Sequence, residues 1–207
     1  MKIGIIFSGV IRDFDTELFK TKVIQNNPDI VAVIASCNYL CHDNVEYITQ
    51  YIEECKTPDH WQFVSRRCNW NNYNTVSMHY HNKRAFDLLT QIVPDVDIVI
   101  KYRSDVQTTN NFPIPDPNTI EPNTVYVPEI NHYNGINDQI AYGDRESMRQ
   151  YCSLYDHIEK YVVEQRITFH PETLLCHHLK QLNIPVKTFR FHYNLNPKRT
   201  LNFTPGT

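Results

Sequence analysis

The sequence predicts an α/β layered fold, a mostly parallel sheet covered by helices, on three observations. Compact apolar runs recur at Ile3-Gly4-Ile5-Ile6-Phe7, Ile30-Val31-Ala32-Val33-Ile34 and Ile98-Val99-Ile100. A short run without polar alternation suits a strand buried on both faces, the condition of a parallel sheet between helices. Segments with helical spacing alternate with these runs, the pattern of layered α/β chains. Small or polar residues follow each run at once: Ser8-Gly9, Ser36-Cys37-Asn38 and Arg103-Ser104-Asp105.

In chain order, residues 15–25 have helical spacing, with Leu18, Phe19 and Val23 inward. After the second strand, residues 45–55 read as a helix and 56–74 as an exposed, irregular stretch. A strong helix is expected over 78–93, burying Ala85, Leu88, Leu89 and Ile92 and ended by Pro94. Asp97 opens the third strand, which runs to Tyr102. Five prolines between 110 and 128 (Pro113, Pro115, Pro117, Pro122 and Pro128) keep that segment mostly extended, with a short strand at Val125-Tyr126-Val127. Helices over 147–164 and 172–182 and a last strand over 186–191 complete the pattern. No repeat and no linker divides the 207 residues, so one domain, 1–207, is expected, standing alone or as a fragment of a longer protein.

Composition removes several classes. A net charge of -3 without blocks of like charge argues against a nucleic-acid binder, which needs a basic stripe for phosphates. No segment approaches the ~18 apolar residues that span a bilayer. The first apolar run is short, lacks a small-residue cleavage site and meets Arg12-Asp13-Phe14-Asp15, so it reads as a strand and not as a signal peptide. Six scattered cysteines without a C-x-x-C pair fit reduced thiols in a cytoplasmic protein. G-x-G-x-x-G and G-K-[ST] are both missing, and with them the signatures of dinucleotide binding and of P-loop hydrolysis.

In open α/β sheets, ligands bind beyond the carboxyl ends of the strands. Ser8, Gly9 and Arg12, then Ser36 and Asn38, then Arg103, Ser104 and Asp105 follow the three strands and can converge on one cleft. The third strand is the centre of the argument, because it delivers Asp105 at its carboxyl end. Carboxylates so placed suit hard cations such as Mg²⁺ and Mn²⁺, which share their shell with substrate phosphates. Asp95-Val96-Asp97 spells D-x-D literally but precedes the strand, at its wrong end.

Here the sequence resembles the GT-A glycosyltransferases, whose D-x-D motif occupies the place of Arg103-Ser104-Asp105, and in particular the R-S-D variant of lipopolysaccharide- and virus-type transferases. It is similar to small transferase domains of large DNA viruses such as the chlorella viruses. The resemblance implies a Rossmann-like GT-A fold with a mixed, mostly parallel sheet flanked by helices. It implies metal-dependent transfer of a hexosyl or deoxyhexosyl group from a UDP-sugar to a hydroxyl of a glycan or glycoprotein, in a cytoplasmic setting, the host's if the protein is viral.

By the same resemblance, Asp105 and His192 are the expected ligands of Mn²⁺ (or Mg²⁺). Phe7, Ser8, Gly9, Arg12, Ser36, Arg84, Arg103, Ser104 and Lys198 are the expected nucleotide-sugar contacts. His192 and Lys198 match an H-x5-K spacing in which an imidazole binds the metal and an ammonium the donor phosphates. Lys83 and Arg84 stand on a helix before the third strand, as does a phosphate-contacting cation in related folds. Asp138-Gln139 matches a D-Q element near the reacting sugar and is the expected catalytic pair, leaning towards retention of configuration; in an inverting enzyme Asp138 becomes the general base. Glu172, in Pro171-Glu172, either binds acceptor hydroxyls or favours its helix N-terminus. The alternative function is a non-catalytic nucleotide-sugar or glycan-binding module, favoured by Arg103 standing where a metal ligand is usual.

Overall fold

The computed structural model describes residues 1–8, 14–25, 27–37, 51–57, 72–114 and 116–195. Its strands are β1 (Ile3–Ser8), β2 (Ile30–Cys37), β3 (Tyr51–Glu54), β4 (Ile98–Tyr102), β5 (Val106–Gln107), β6 (Val125–Pro128), β7 (Ile140–Asp144), β8 (Val186–Phe189) and β9 (Asn194–Leu195). The α-helices are α1 (Thr16–Phe19), α2 (Asn72–Ile92), α3 (Arg145–Cys152) and α4 (Pro171–Gln181). Seven strands form one sheet in the order β3-β2-β1-β4-β7-β6-β8, while β5 and β9 pair separately. The strands β3, β2, β1 and β4 run parallel, β7 runs against both β4 and β6, and β8 is parallel to β6. This is the mixed, mostly parallel α/β sheet that the sequence predicts.

The strand residues divide between two cores by their period of two. Ile6, Ile34, Val99 and Ala141 face the core shared with Ala85 and Leu89 of α2, Met148 and Tyr151 of α3, and Leu175 and Leu179 of α4. Ile5, Val33, Ile100 and Tyr142 face the opposite core, which the aromatic rings of Phe7, Phe14, Phe19, Tyr102 and Phe112 dominate. Each fully buried Ile, Leu or Val removes enough apolar surface to stabilise the fold by roughly 1.5–3 kcal/mol. Two local devices set helix ends. Asp15 caps α1 by accepting from the Leu18 amide at 2.9 Å, and Asp144 caps α3 through the Ser147 amide at 2.7 Å.

Three expectations need correction. Within the helix expected over 45–55, Tyr51–Glu54 is a strand, parallel to β2, whereas 45–50 lie outside the described residues. Pairing along the open edge of the sheet outweighs the local helical spacing there. The single helix expected over 147–164 changes pitch: α3 gives way to a 3-10 turn over Ser153–His157 and a π-helical turn over Lys160–Glu164. Leu154, Ile158 and Tyr161 all remain buried across these changes. The last strand ends at Phe189, and the chain forms a further short strand, β9, beside β5. The β7 strand had no clear sequence signal. Its Gly143 is required by close approach, because a Cβ there would stand 2.7 Å from the Thr124 carbonyl oxygen.

Candidate active site at the carboxyl edge of the sheet

Four parallel strands end on one edge, and their last residues carry the polar groups. Register places Ser8 beside Ser36 and Ser36 beside Glu53, one row across β1, β2 and β3. Helix α2 closes this row from one face. Ser8 Oγ donates to Asn82 Oδ1 at 2.5 Å, and Ser36 Oγ lies 2.8 Å from His81 Nδ1. Arg84 grips Glu53 with two bonds, at 3.0 Å from Nε and 2.5 Å from a terminal nitrogen. That guanidinium, as first cause, holds the Glu53 carboxyl below its ordinary range. Ser8 and Ser36 thus stand at the ends of β1 and β2, with Arg84 of α2 beside Glu53 of β3. Arg84, expected on phosphate, is paired within the protein, and Lys83 pairs with Asp156 at 2.6 Å.

Further along the edge, β4 delivers the central motif. A turn closed by the Val106 amide to the Arg103 carbonyl, at 3.3 Å, follows β4. Within it, Arg103 binds Asp105 through both carboxylate oxygens, at 2.6 and 3.0 Å, with Asp105 9% exposed and Ser104 also buried. Asp95, the literal D-x-D, is exposed at the opposite end of β4 and pairs with Lys2. Phe7 is enclosed by Phe14, Phe19 and Tyr102 at centroid distances of 5.2, 5.1 and 6.2 Å, so the structure gives it to the core.

Reasoning from sequence missed Lys101. It is 1% exposed, and its ammonium donates to the Asp138 carbonyl and, at 3.0 Å, to the Gln139 carbonyl. A lysine inside an otherwise apolar strand is itself the signal, because a buried ammonium must find acceptors. Burial pulls its pKa down to about 8, against the attraction of Asp138. The lysine thereby ties the segment leading into β7 to β4. Asn137 ties the same segment further: its side chain donates to Tyr193 Oη at 2.8 Å and accepts from the Gln139 amide at 2.9 Å. Tyr193 in turn donates to Gln139 Oε1 at 2.8 Å.

Two buried carboxyl groups result. Asp138 is 3% exposed, and its Oδ1 makes no hydrogen bond. Glu172, in the first turn of α4, is equally buried; its Oε2 lies 3.0 Å from His170 Nδ1 at an angle that forms no hydrogen bond. Burial first, and then the charge of Asp138, push the Glu172 carboxyl up to about 7. The two carboxyl groups are near enough for the charge of Asp138 to act on Glu172.

The cation expected at Asp105 and His192 does not fit the described residues. Arg103 takes both Asp105 oxygens. The His192 side chain is 69% exposed and 3.7 Å from Glu129, while its backbone carbonyl is held by Thr108 at 2.9 Å. Among the described residues no three His, Cys, Asp or Glu side chains gather as metal ligands. Gly9, Arg12 and Lys198 lie outside the described residues, and no helix of the described residues is long and apolar enough to cross a membrane.

No family model and no curated protein matches the chain. Among solved structures it is similar to a glycosyltransferase involved in the glycosylation of the major capsid of PBCV-1. The identity is 13%, the match covers 92% of this chain and 82% of that one, and the TM-score is 0.48.

Proposed function

We propose that the chain is a glycosyltransferase, moving a sugar from a UDP-sugar to a hydroxyl of a glycan or glycoprotein. The observation that carries this reading is the buried carboxyl pair, Asp138 and Glu172, set beside Arg103 and Lys101 past the carboxyl end of β4. Glycosyl transfer breaks the bond between C1 and the leaving phosphate oxygen and forms one to the acceptor oxygen, through an oxocarbenium-like state. The Asp138 carboxylate, with an oxygen left unbonded, supplies negative charge for that state or takes the acceptor proton. Glu172, whose raised pKa of about 7 keeps the protonated form populated at neutral pH, donates a hydrogen bond to a sugar hydroxyl in that form. Arg103 is the fixed positive charge for the departing diphosphate. The R-S-D and D-Q resemblances support the same assignment.

The test is a panel of nucleotide sugars, reading release of nucleoside diphosphate in Mn²⁺, in Mg²⁺ and in EDTA. All three media are needed, because Asp105 must give up Arg103 before it can take a cation. Turnover on one donor, lost in Asp138→Asn, is the expected result; the absence of turnover on every donor and acceptor would overturn it. The configuration of the product then separates retention from inversion. A second reading, a glycan- or nucleotide-sugar-binding module, is favoured by the Arg103–Asp105 pair, which satisfies the carboxylate internally. Binding of UDP without turnover selects it.

A further inference from the structure

The segment 129–136, between β6 and β7, holds an aromatic ring in solvent on a backbone that resists it. Tyr133 is 59% exposed, the most exposed large hydrophobic side chain among the described residues. Its φ is 41°, in the left-handed region that a bulky side chain seldom enters, and Asn131 and Asn134 on either side have φ of 62° and 66°. Such strain persists only where surrounding structure over-determines it. That structure is present. The Gly135 amide donates to the His132 carbonyl at 2.8 Å, the Ile136 amide to the Glu172 carbonyl at 3.1 Å, and the Asn137 side chain to the Ile130 carbonyl at 2.7 Å. His132 Nδ1 accepts from the Asn137 amide at 3.2 Å. Gly135 is pressed so closely on α4 that a Cβ would stand 2.1 Å from the Glu172 carbonyl.

We propose that this loop is a platform for the acceptor sugar, with the Tyr133 ring stacking on the C–H face of a neutral pyranose and Asn131 and Asn134 bonding its hydroxyl edge. The proposal names the acceptor class for the site above, and so rests on the glycosyltransferase reading. The chemistry of the segment selects the occupant. After Glu129, from Ile130 to Asn137, it carries no Asp, Glu, Lys or Arg; its polar groups there are amides, an imidazole and a phenol, which suits a neutral polyhydroxylated ligand and not a phosphate. One projecting ring is far too small a surface for a protein partner, which needs about 1,000 Å². The loop runs directly into Asn137-Asp138, and its Ile136 amide bonds the Glu172 backbone carbonyl, so the platform adjoins the two segments that carry the buried carboxyl groups. A rigid aromatic also binds at little entropic cost, because its backbone is fixed beforehand.

The test reads binding directly, by saturation-transfer NMR of the full chain with methyl α- and β-glycosides of glucose, galactose, mannose, xylose and rhamnose. Wild type binds at least one; Tyr133→Ala weakens that binding at least tenfold, while Tyr133→Trp keeps it within about threefold. Should the alanine variant fail to fold, Tyr133→Gly, which suits a positive φ, carries the same test and melts at a higher temperature than wild type. Equal binding by wild type and Tyr133→Ala, or no binding by wild type to any glycoside, overturns the platform. A wild type that binds glycosides through Tyr133 but cleaves no donor keeps the platform and sinks the transferase reading. Donor cleavage with no dependence of transfer on Tyr133 does the reverse.

Discussion

The two halves of the carboxyl edge treat their charges differently. Beside β1, β2 and β3, Glu53 is closed off by two bonds from Arg84, and Ser36 by His81. Beside β4 and β7, Asp138 leaves an oxygen buried and unbonded, and Glu172 keeps its proton near neutrality. The first arrangement is a hydrogen-bonded polar network that ties neighbouring elements together, with Asn82 Nδ2 beside Ser8 the one buried group of that row, among the described residues, left without a partner. The second leaves polar groups buried without partners, at a cost of roughly 1–3 kcal/mol each. On this contrast the proposed chemistry falls in the β4–β7 half.

The strongest way to break this contrast is Asp138→Asn. Nucleotide release should fall by about 10²–10⁴, the usual worth of a positioned acid or base, with the circular dichroism spectrum preserved. Glu172→Gln should cost less, about 10–100-fold. Wild type is expected to lose acceptor binding as pH rises through about 7, where Glu172 gives up its proton, and Glu172→Gln should abolish that loss. In Asp138→Asn that limb should move to lower pH, because one cause of the raised pKa has been removed. Binding isotherms from pH 5.5 to 8.5 read both effects.

Acidification probes the helix-covered side of the sheet. Burial holds His79 down to about 3 and His81 and His178 to about 4, against 6.5 for a free imidazole. Between about pH 6.5 and 4 the unfolded chain therefore binds three protons that the folded chain refuses, and stability falls as pH falls. Glu172 acts in the opposite sense between 4.5 and about 7, where only the folded chain keeps a proton. The net should be a loss on the order of 2–3 kcal/mol per pH unit near pH 5, seen as a steep drop in melting temperature. A flat profile from pH 7 to 5 would contradict the neutral, buried state of these imidazoles. The smallest effect is expected from Arg84→Met. It strands Glu53 at the edge of the hydrogen-bonded half and should cost about 1–2 kcal/mol, because the pair is partly exposed. The donor turnover number should hardly change.

How far the sequence could be read follows from the range of each interaction. Apolar runs are local signals, so β1, β2 and β4 were legible, as was Asp105 at the exit of β4. Asp138 could be picked out from its neighbours Asn137 and Gln139. The edge strand β3 and the antiparallel β7 were not legible, because their residues owe their conformation to partners far along the chain. Lys101 was passed over although a charge in I-V-I-K-Y announced itself; its acceptors lie 37 and 38 residues away. The fates of Arg84, Lys83 and Phe7 were equally hidden, since a cation on a helix reads the same whether it meets phosphate or Glu53.

The sequence by itself determined the α/β layering and the edge on which polar residues collect, both through patterns a few residues long. Only the tertiary structure decided which charges are closed by partners and which stay open. It set Arg103 against Asp105, turned His192 toward Glu129, and buried Asp138 with Glu172 beside a strained tyrosine loop. The physical reason is that desolvation and charge pairing act through space, and the chain order does not encode which distant groups will share a dry site.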